Sequence, residues 1–230
     1  MKKYFARVVC LQRSNIVAES ACELKTCKQG FARLNRNAGF TLIELMIVIV
    51  VMAVLTAIAY PNYTQYMERR DLAIARQEAL RIAAELERVK SKNFSYKGFD
   101  ASYLYAYTGT DNDGNPIPAS YYNKTNGQLL LPIGSTASSA KYTLTLVDGG
   151  AAHKPLTIVK NGDGTETADS ASVNGLSWVM SLERAKDGDG LPKQPRNYDL
   201  LLSNTGVRCM TKVKDVVTGY ANCGSYSESW

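Results

Sequence analysis

Glu44 stands near the start of an apolar run that opens at Phe40 and closes at Tyr60, and it is the only charged residue within it. A carboxylate held in hydrocarbon costs about 2.5–3.5 kcal/mol on insertion scales, so a charge kept there implies a partner. The small pair Ala38-Gly39 directly precedes the run. A secretory signal places its apolar region before the cleavage site, whereas cleavage after Gly39 would leave the apolar helix as the new N-terminus. The α-amine of Phe40 would then be largely cationic at neutral pH. It would lie one helical turn from Glu44 on the same face. The pairing could be made within the chain, or Glu44 could simply reach the lipid headgroups.

Other chemistry fails on inventory. His153 is the single histidine and sits in a Gly-Gly-Ala-Ala context that reads as a loop, so a histidine triad or metal cluster has almost no material. No phosphate loop of the Walker type is present. "DNDGNP" from Asp111 and "DGDG" from Asp187 have the composition of calcium loops. Pro116 and Tyr122 stand where such a loop needs its glycine and glutamate, so both stretches read as turns. The chain is therefore read as a non-enzyme with no catalytic residue, metal or cofactor.

The elements that position Glu44 follow from charge and periodicity. Residues 1–39 hold eight Lys or Arg against Glu19 and Glu23, which accounts for the whole net charge of +6. After Gly39 the chain carries 19 basic and 19 acidic residues. The excess positive charge ahead of the run suits a cytoplasmic flank and argues against a specific nucleic-acid site. At roughly 1.5 Å per residue, about 20 residues cross a hydrocarbon core of roughly 30 Å, so Phe40 to Tyr60 can span it with Glu44 near one face. Pro61 removes one backbone donor and should kink or loosen the helix without ending it. Beyond it Leu72, Ala75, Ala79, Ile82, Leu86 and Val89 form an apolar stripe on an amphipathic helix to about Asn93. The pairs Arg81–Glu85 and Glu85–Arg88 read as a solvated charged face.

Period-two segments follow in "KYTLTLVD", "WVMSLER" and "NYDLLLSNTGVRCM", the last with a hairpin signal at Asn204-Thr205-Gly206. "PLTIVK" from Pro155 to Lys160 is a further candidate strand. The implied class is α+β, with the helical stripe buried on an antiparallel sheet. The Tyr-rich stretch with Tyr96, Tyr103, Tyr105, Tyr107, Tyr121 and Tyr122 is expected to pack as a loop over that sheet.

Gly39-Phe40-Thr41-Leu42-Ile43-Glu44-Leu45-Met46, continued to Ala59-Tyr60-Pro61, resembles the class III signal sequence of type IV pilins and related pseudopilins. The resemblance implies cleavage after Gly39 by a prepilin peptidase and N-methylation of Phe40. It also implies an assembly role for Phe40, Glu44 and Pro61, with Glu44 meeting the amine of a neighbouring subunit. The helix after Pro61 and the C-terminal cysteine pair before a terminal tryptophan are similar to PilE-like minor pilins. Implied partners are other major and minor pilins through the N-terminal helix, the peptidase, an inner-membrane assembly platform and the lipid bilayer. The implied location is the inner membrane with the C-terminal domain in the periplasm, then a surface pilus. A type II secretion pseudopilin and a membrane-anchored periplasmic binding module are the alternatives.

Cys209 and Cys223 are expected to form a disulfide, worth about 3 kcal/mol for a loop of that length and suited to an oxidising compartment. Cys10, Cys22 and Cys27 would be removed with the leader. That leader is long for the family, and the product is expected to begin at Leu34, the alternative being a genuine long leader. The resulting division is 1–39 leader, 40–60 transmembrane and assembly helix, and 61–93 amphipathic helix. A connecting loop region at 94–140 and a sheet with its disulfide loop at 141–230 complete it.

Overall fold

The computed structural model describes residues 40–230. The expectations for Gly39, for a start at Leu34 and for Cys10, Cys22 and Cys27 lie outside the described residues. The chain divides into two units at Ile47 and Val48. Helix α1, Leu42–Asn93, contributes to both and has the expected long N-terminal form.

Helix α1 ends for a local reason. Phe94 takes φ 58°, and its amide donates to the Lys90 carbonyl at 2.7 Å, a left-handed cap that satisfies one of the last carbonyls. Pro61 lies inside the helix and does not end it. Asn62 Nδ2 donates to the Ile58 carbonyl at 3.2 Å and the Thr64 hydroxyl to that of Pro61 at 2.9 Å. Two polar side chains thus gather on the turns around the missing donor.

Every residue from Phe40 to Tyr63 is exposed. From Asp71 one face of α1 is buried through Leu72, Ala75, Ala79, Ile82 and Leu86, with Val89 packed against the same core. The two alanines let the helix backbone approach the sheet. Across from them lie strands β5 (Tyr142–Asp148), β6 (Trp178–Arg184) and β7 (Asp199–Ser203). Tyr142, Leu144, Leu146, Met180, Leu182, Leu200 and Leu202 face the helix within one cluster. The period of two read from the sequence is thus that of one strand face turned to the helix.

The opposite face of the sheet is also covered. Val147, Val179 and Leu201 pack with Val217 and Cys223, so the C-terminal loop forms a second layer. Strand β8 (Arg208–Thr211) pairs with β7, as the hairpin signal at Asn204-Thr205-Gly206 requires.

Residues 94–140 are more than a connecting loop. A 3-10 turn over Ala101–Tyr105 leads to a separate hairpin of β1 (Ala106–Thr110) and β2 (Pro116–Ser120). The "DNDGNP" stretch is its turn: Asp111 Oδ1 accepts from the amides of Asp113 and Asn115 at 3.0 and 2.7 Å. Strands β3 (Tyr122–Asn123) and β4 (Gln128–Leu131) then enter the main sheet. That sheet is antiparallel in chain order from β3 to β9 (Glu228–Ser229). Both of its edge strands are two residues long.

Pro155–Lys160 is not a strand. Leu156 is fully buried, but neighbouring groups bond elsewhere. The Thr157 hydroxyl donates to the Phe99 carbonyl at 2.9 Å, and the Val159 amide to Ser170 Oγ at 2.9 Å. Ser170 belongs to the short helix α2, Ala168–Ala171. Only Lys160 makes a strand-like bridge, to Glu166.

Candidate assembly site at the helix start

The first turn of α1 is capped by a hydroxyl. Thr41 Oγ1 accepts from the Glu44 amide at 3.2 Å, and the Thr41 carbonyl accepts from the Leu45 amide at 3.2 Å. Threonine three residues before glutamate is the sequence mark of a capping box. Thr41 is thus a site residue whose signal, T-x-x-E, was present in the sequence but was overshadowed by the apolar run. Among the described residues the Glu44 carboxylate makes no hydrogen bond or ion pair, and Phe40 and Glu44 are both exposed. A carboxylate in the first turn is favoured by the helix dipole, and here it remains available to a cation from outside.

The segment that carries it has no buried face. From Leu42 onward it is long and apolar enough to cross a membrane. A helix apolar all round needs lipid or other helices about it.

Below the anchor, several polar contacts fasten the head to α1. The hydroxyls of Tyr96, Tyr103 and Tyr105 donate to Glu87, Glu85 and Glu78 at 2.7, 2.8 and 2.8 Å. The supposed solvated face of the helix is therefore partly a docking face for the Tyr-rich stretch. Arg81 pairs with Glu78 at 3.6 Å in place of Glu85, while Glu85 does pair with Arg88 at 2.6 Å. The Tyr103 hydroxyl holds the Glu85 carboxyl below the usual carboxylate range. Burial, reinforced by Glu78, pushes the Tyr105 hydroxyl strongly up, so it stays a neutral donor. Tyr96, Tyr105 and Tyr122 are buried, whereas Tyr107 and Tyr121 stack on each other, partly exposed, at 4.2 Å.

Arg184 and Asp199 form a buried bidentate pair, Nε to Oδ1 at 2.9 Å and Nη2 to Oδ2 at 3.0 Å. The same guanidinium donates to the carbonyls of Pro195, Asn197 and Lys212 at 3.3, 2.9 and 2.8 Å. Cys209 and Cys223 are joined, with Cα atoms 6.0 Å apart. Trp230 Nε1 donates to the Cys209 carbonyl at 3.1 Å, and Arg76 and Arg208 lie over its ring. His153 sits in a turn, its ring 5.0 Å from that of Tyr220. "DGDG" is likewise a turn, with Asp187 Oδ1 accepting from the amides of Asp189 and Leu191.

Residues 34–60 match the family model of the prokaryotic N-terminal methylation motif. The chain is 30% identical over 107 residues to the type II secretion system core protein G of Pseudomonas aeruginosa, covering 46% of this chain and 73% of that protein. It is 29% identical over 159 residues to the fimbrial protein EcpC of Eikenella corrodens, covering 69% and 90%. A third relative, the type IV major fimbrial protein FimA of Dichelobacter nodosus, is 31% identical over 87 residues, 36% of this chain and 54% of that protein. No solved structure matches the chain. The methylation motif at the head of an exposed apolar helix, the α+β head behind it and these relatives together show that the chain belongs to the type IV pilin family.

Proposed function

We propose that this chain is a minor pilin: a structural subunit, not an enzyme, inserted in the inner membrane with its head in the periplasm. It is cleaved after Gly39, methylated on Phe40 and then built into a type IV pilus. Such a fibre would serve twitching motility, adhesion or DNA uptake. The observation that carries the reading is the exposed apolar helix with one capped, unpaired carboxylate near its start. Because the Glu44 carboxylate makes no hydrogen bond or ion pair among the described residues, it is free to accept from an ammonium. A neighbouring subunit's Phe40 amine supplies one, and the pairing would set the stagger of adjacent helices. Pro61 and its polar neighbours mark where the helix leaves the lipid.

The match to core protein G favours a second reading, a type II secretion pseudopilin. The match to 90% of a fimbrial protein's length, over 69% of this chain, and the C-terminal disulfide favour the pilus. Glu44→Val tests the proposal. The variant should insert and be cleaved normally, since it is more apolar, yet be strongly depleted from sheared surface pili or abolish piliation. An unpaired ammonium in a helix bundle carries an uncompensated desolvation cost. Normal piliation would refute the assembly role, and a wild-type chain found only with a secretion apparatus would favour the pseudopilin.

A further inference from the structure

The residues after Gly39 balance at 19 basic and 19 acidic, but the charges are not evenly spread. Two clefts flank α1 within a few turns of Tyr60. One, of about 280 Å³, is lined by Tyr63, Arg70, Lys141 and Lys193. The other, of about 460 Å³, is lined by Arg69, Arg196 and Lys212. The loop between them is tied to the helix, with Asn197 Nδ2 donating to the Glu68 carbonyl at 2.7 Å and Gln194 Nε2 to Asp71 at 2.7 Å.

Six cations thus ring the helix where the head begins. The opposing charges are few. Asp71 is buried and already held by Arg70 and Gln194. Glu68 lines both clefts, and Glu228 lies at the margin, accepting from the Tyr198 hydroxyl at 3.2 Å. Among the described residues Arg69, Lys141, Lys193, Arg196 and Lys212 make no ion pair. Lys193 donates to the Ser138 carbonyl and Lys212 lies over the Tyr198 ring.

The level of this ring relative to a bilayer can be read along the helix. Tyr60, Tyr63 and Tyr66 are all exposed, and tyrosines of this kind settle at the headgroup level. Arg69 follows Tyr66 by three residues, roughly 4.5 Å of rise. That is well within a Debye length of about 8 Å at physiological ionic strength. The rule that sets membrane orientation disfavours basic residues this close to the end of a span on the translocated side. Arg69 and Arg70 are this close along the chain, and the fold brings Lys141, Lys193, Arg196 and Lys212 to the same level of the helix.

We infer that this basic ring is a docking surface for anionic phospholipid headgroups, which seats the head on the bilayer while the subunit is membrane-bound. The inference rests on the membrane-anchored reading above. Phosphates of the lipid surface enter the two clefts beside α1, with Arg69 and Arg196 on one side and Lys141 and Lys193 on the other. The tyrosine belt fixes the depth of the helix, and the ring fixes the tilt and rotation of the head upon it. Juxtamembrane basic clusters are attracted to anionic lipid in this way, and salt weakens the attraction.

The test uses the full chain reconstituted in vesicles of phosphatidylcholine alone or with about one third phosphatidylglycerol. A membrane-impermeant amine-acylating reagent is applied, and each lysine is followed by mass spectrometry. Acylation of Lys141, Lys193 and Lys212 should fall at least about threefold in the anionic vesicles, with Lys124 and Lys160 unchanged. In about 0.5 M salt, where the Debye length is roughly 4 Å, the difference should disappear. The double variant Arg69→Gln/Arg196→Gln should lose the protection at Lys212. Resistance to carbonate extraction reports insertion separately. An inserted chain with equal acylation in both lipids overturns the docking surface and leaves the anchor intact. A chain that fails to insert overturns the membrane reading and the inference with it. Protection that follows the protein-to-lipid ratio instead of lipid charge would mean that a second copy of the chain covers the ring, and would also overturn it.

Discussion

Replacing Asp199 by alanine tests what holds the C-terminal half of the head in place. The Asp199 side chain is 5% exposed and that of Arg184 2%. Deleting the carboxylate removes two charge-assisted bonds from the guanidinium and a third from the Arg184 amide at 2.7 Å. Arg184 would then be a buried cation held only by three carbonyls. Removing one member of such a pair costs about 3–5 kcal/mol, because the remaining charge is left without compensation. That raises the unfolded-to-folded ratio by roughly two to three and a half orders of magnitude, against a total stability of about 5–15 kcal/mol for a domain. Arg184→Met/Asp199→Leu should recover part of the loss, since an apolar pair of similar volume removes the buried charge. It should not recover all of it, because the carbonyls of Pro195, Asn197 and Lys212 lose their donor. The assay is urea unfolding of the full chain in detergent micelles, followed by tryptophan fluorescence, which reports the buried Trp178. A loss below about 1 kcal/mol for Asp199→Ala would refute the argument, because an ordinary surface pair is worth that much.

Three further outcomes follow. Cys209→Ser should cost about 3 kcal/mol and expose the loop around Val217 and Tyr220 to protease, read by limited digestion; an unchanged digest would show that packing alone holds the second layer. Burial pushes the Glu183 carboxyl above the usual range, with Lys186 opposing it. A carboxyl raised on folding favours the native state below its unfolded pKa, and that contribution is lost as pH rises through the folded value. Glu183→Gln should therefore raise stability at neutral pH and change it little near about pH 4, as measured by urea midpoints at both. Gly39→Arg should accumulate as precursor, and mass spectrometry of the wild-type mature N-terminus should find N-methyl-Phe40.

What was legible in the sequence was whatever repeats. The stripe from Leu72 to Leu86 and the alternation in β5, β6 and β7 follow from one buried face each, and both packed as read. Strands β1 and β2 escaped because they are largely exposed on both sides and so carry no period. Strand β3 is too short to show one. The second layer was hidden because Val217 comes from a three-residue 3-10 turn and Cys223 from a loop, both too short or irregular to have a period that reveals a buried side. The tyrosine-to-glutamate contacts were missed for a related reason. A carboxylate on a helix surface looks solvated until a residue such as Tyr105, 27 positions away, brings its hydroxyl to it. Arg184 and Asp199 stand at strand ends, where charges ordinarily mark a boundary, and only the pairing of neighbouring strands turns them inward.

The two-residue strands at the margins of the main sheet bear on how copies of this chain can meet. A long bare edge invites another chain to continue the ladder, and short edges limit that growth. Here β3 and β9 each offer too few free amides and carbonyls to template a neighbour. The main sheet is thereby steered away from running on into that of another chain, an association that would be hard to reverse. Among the described residues the β1–β2 hairpin alone keeps five-residue edges bare, and it stands apart from the main sheet.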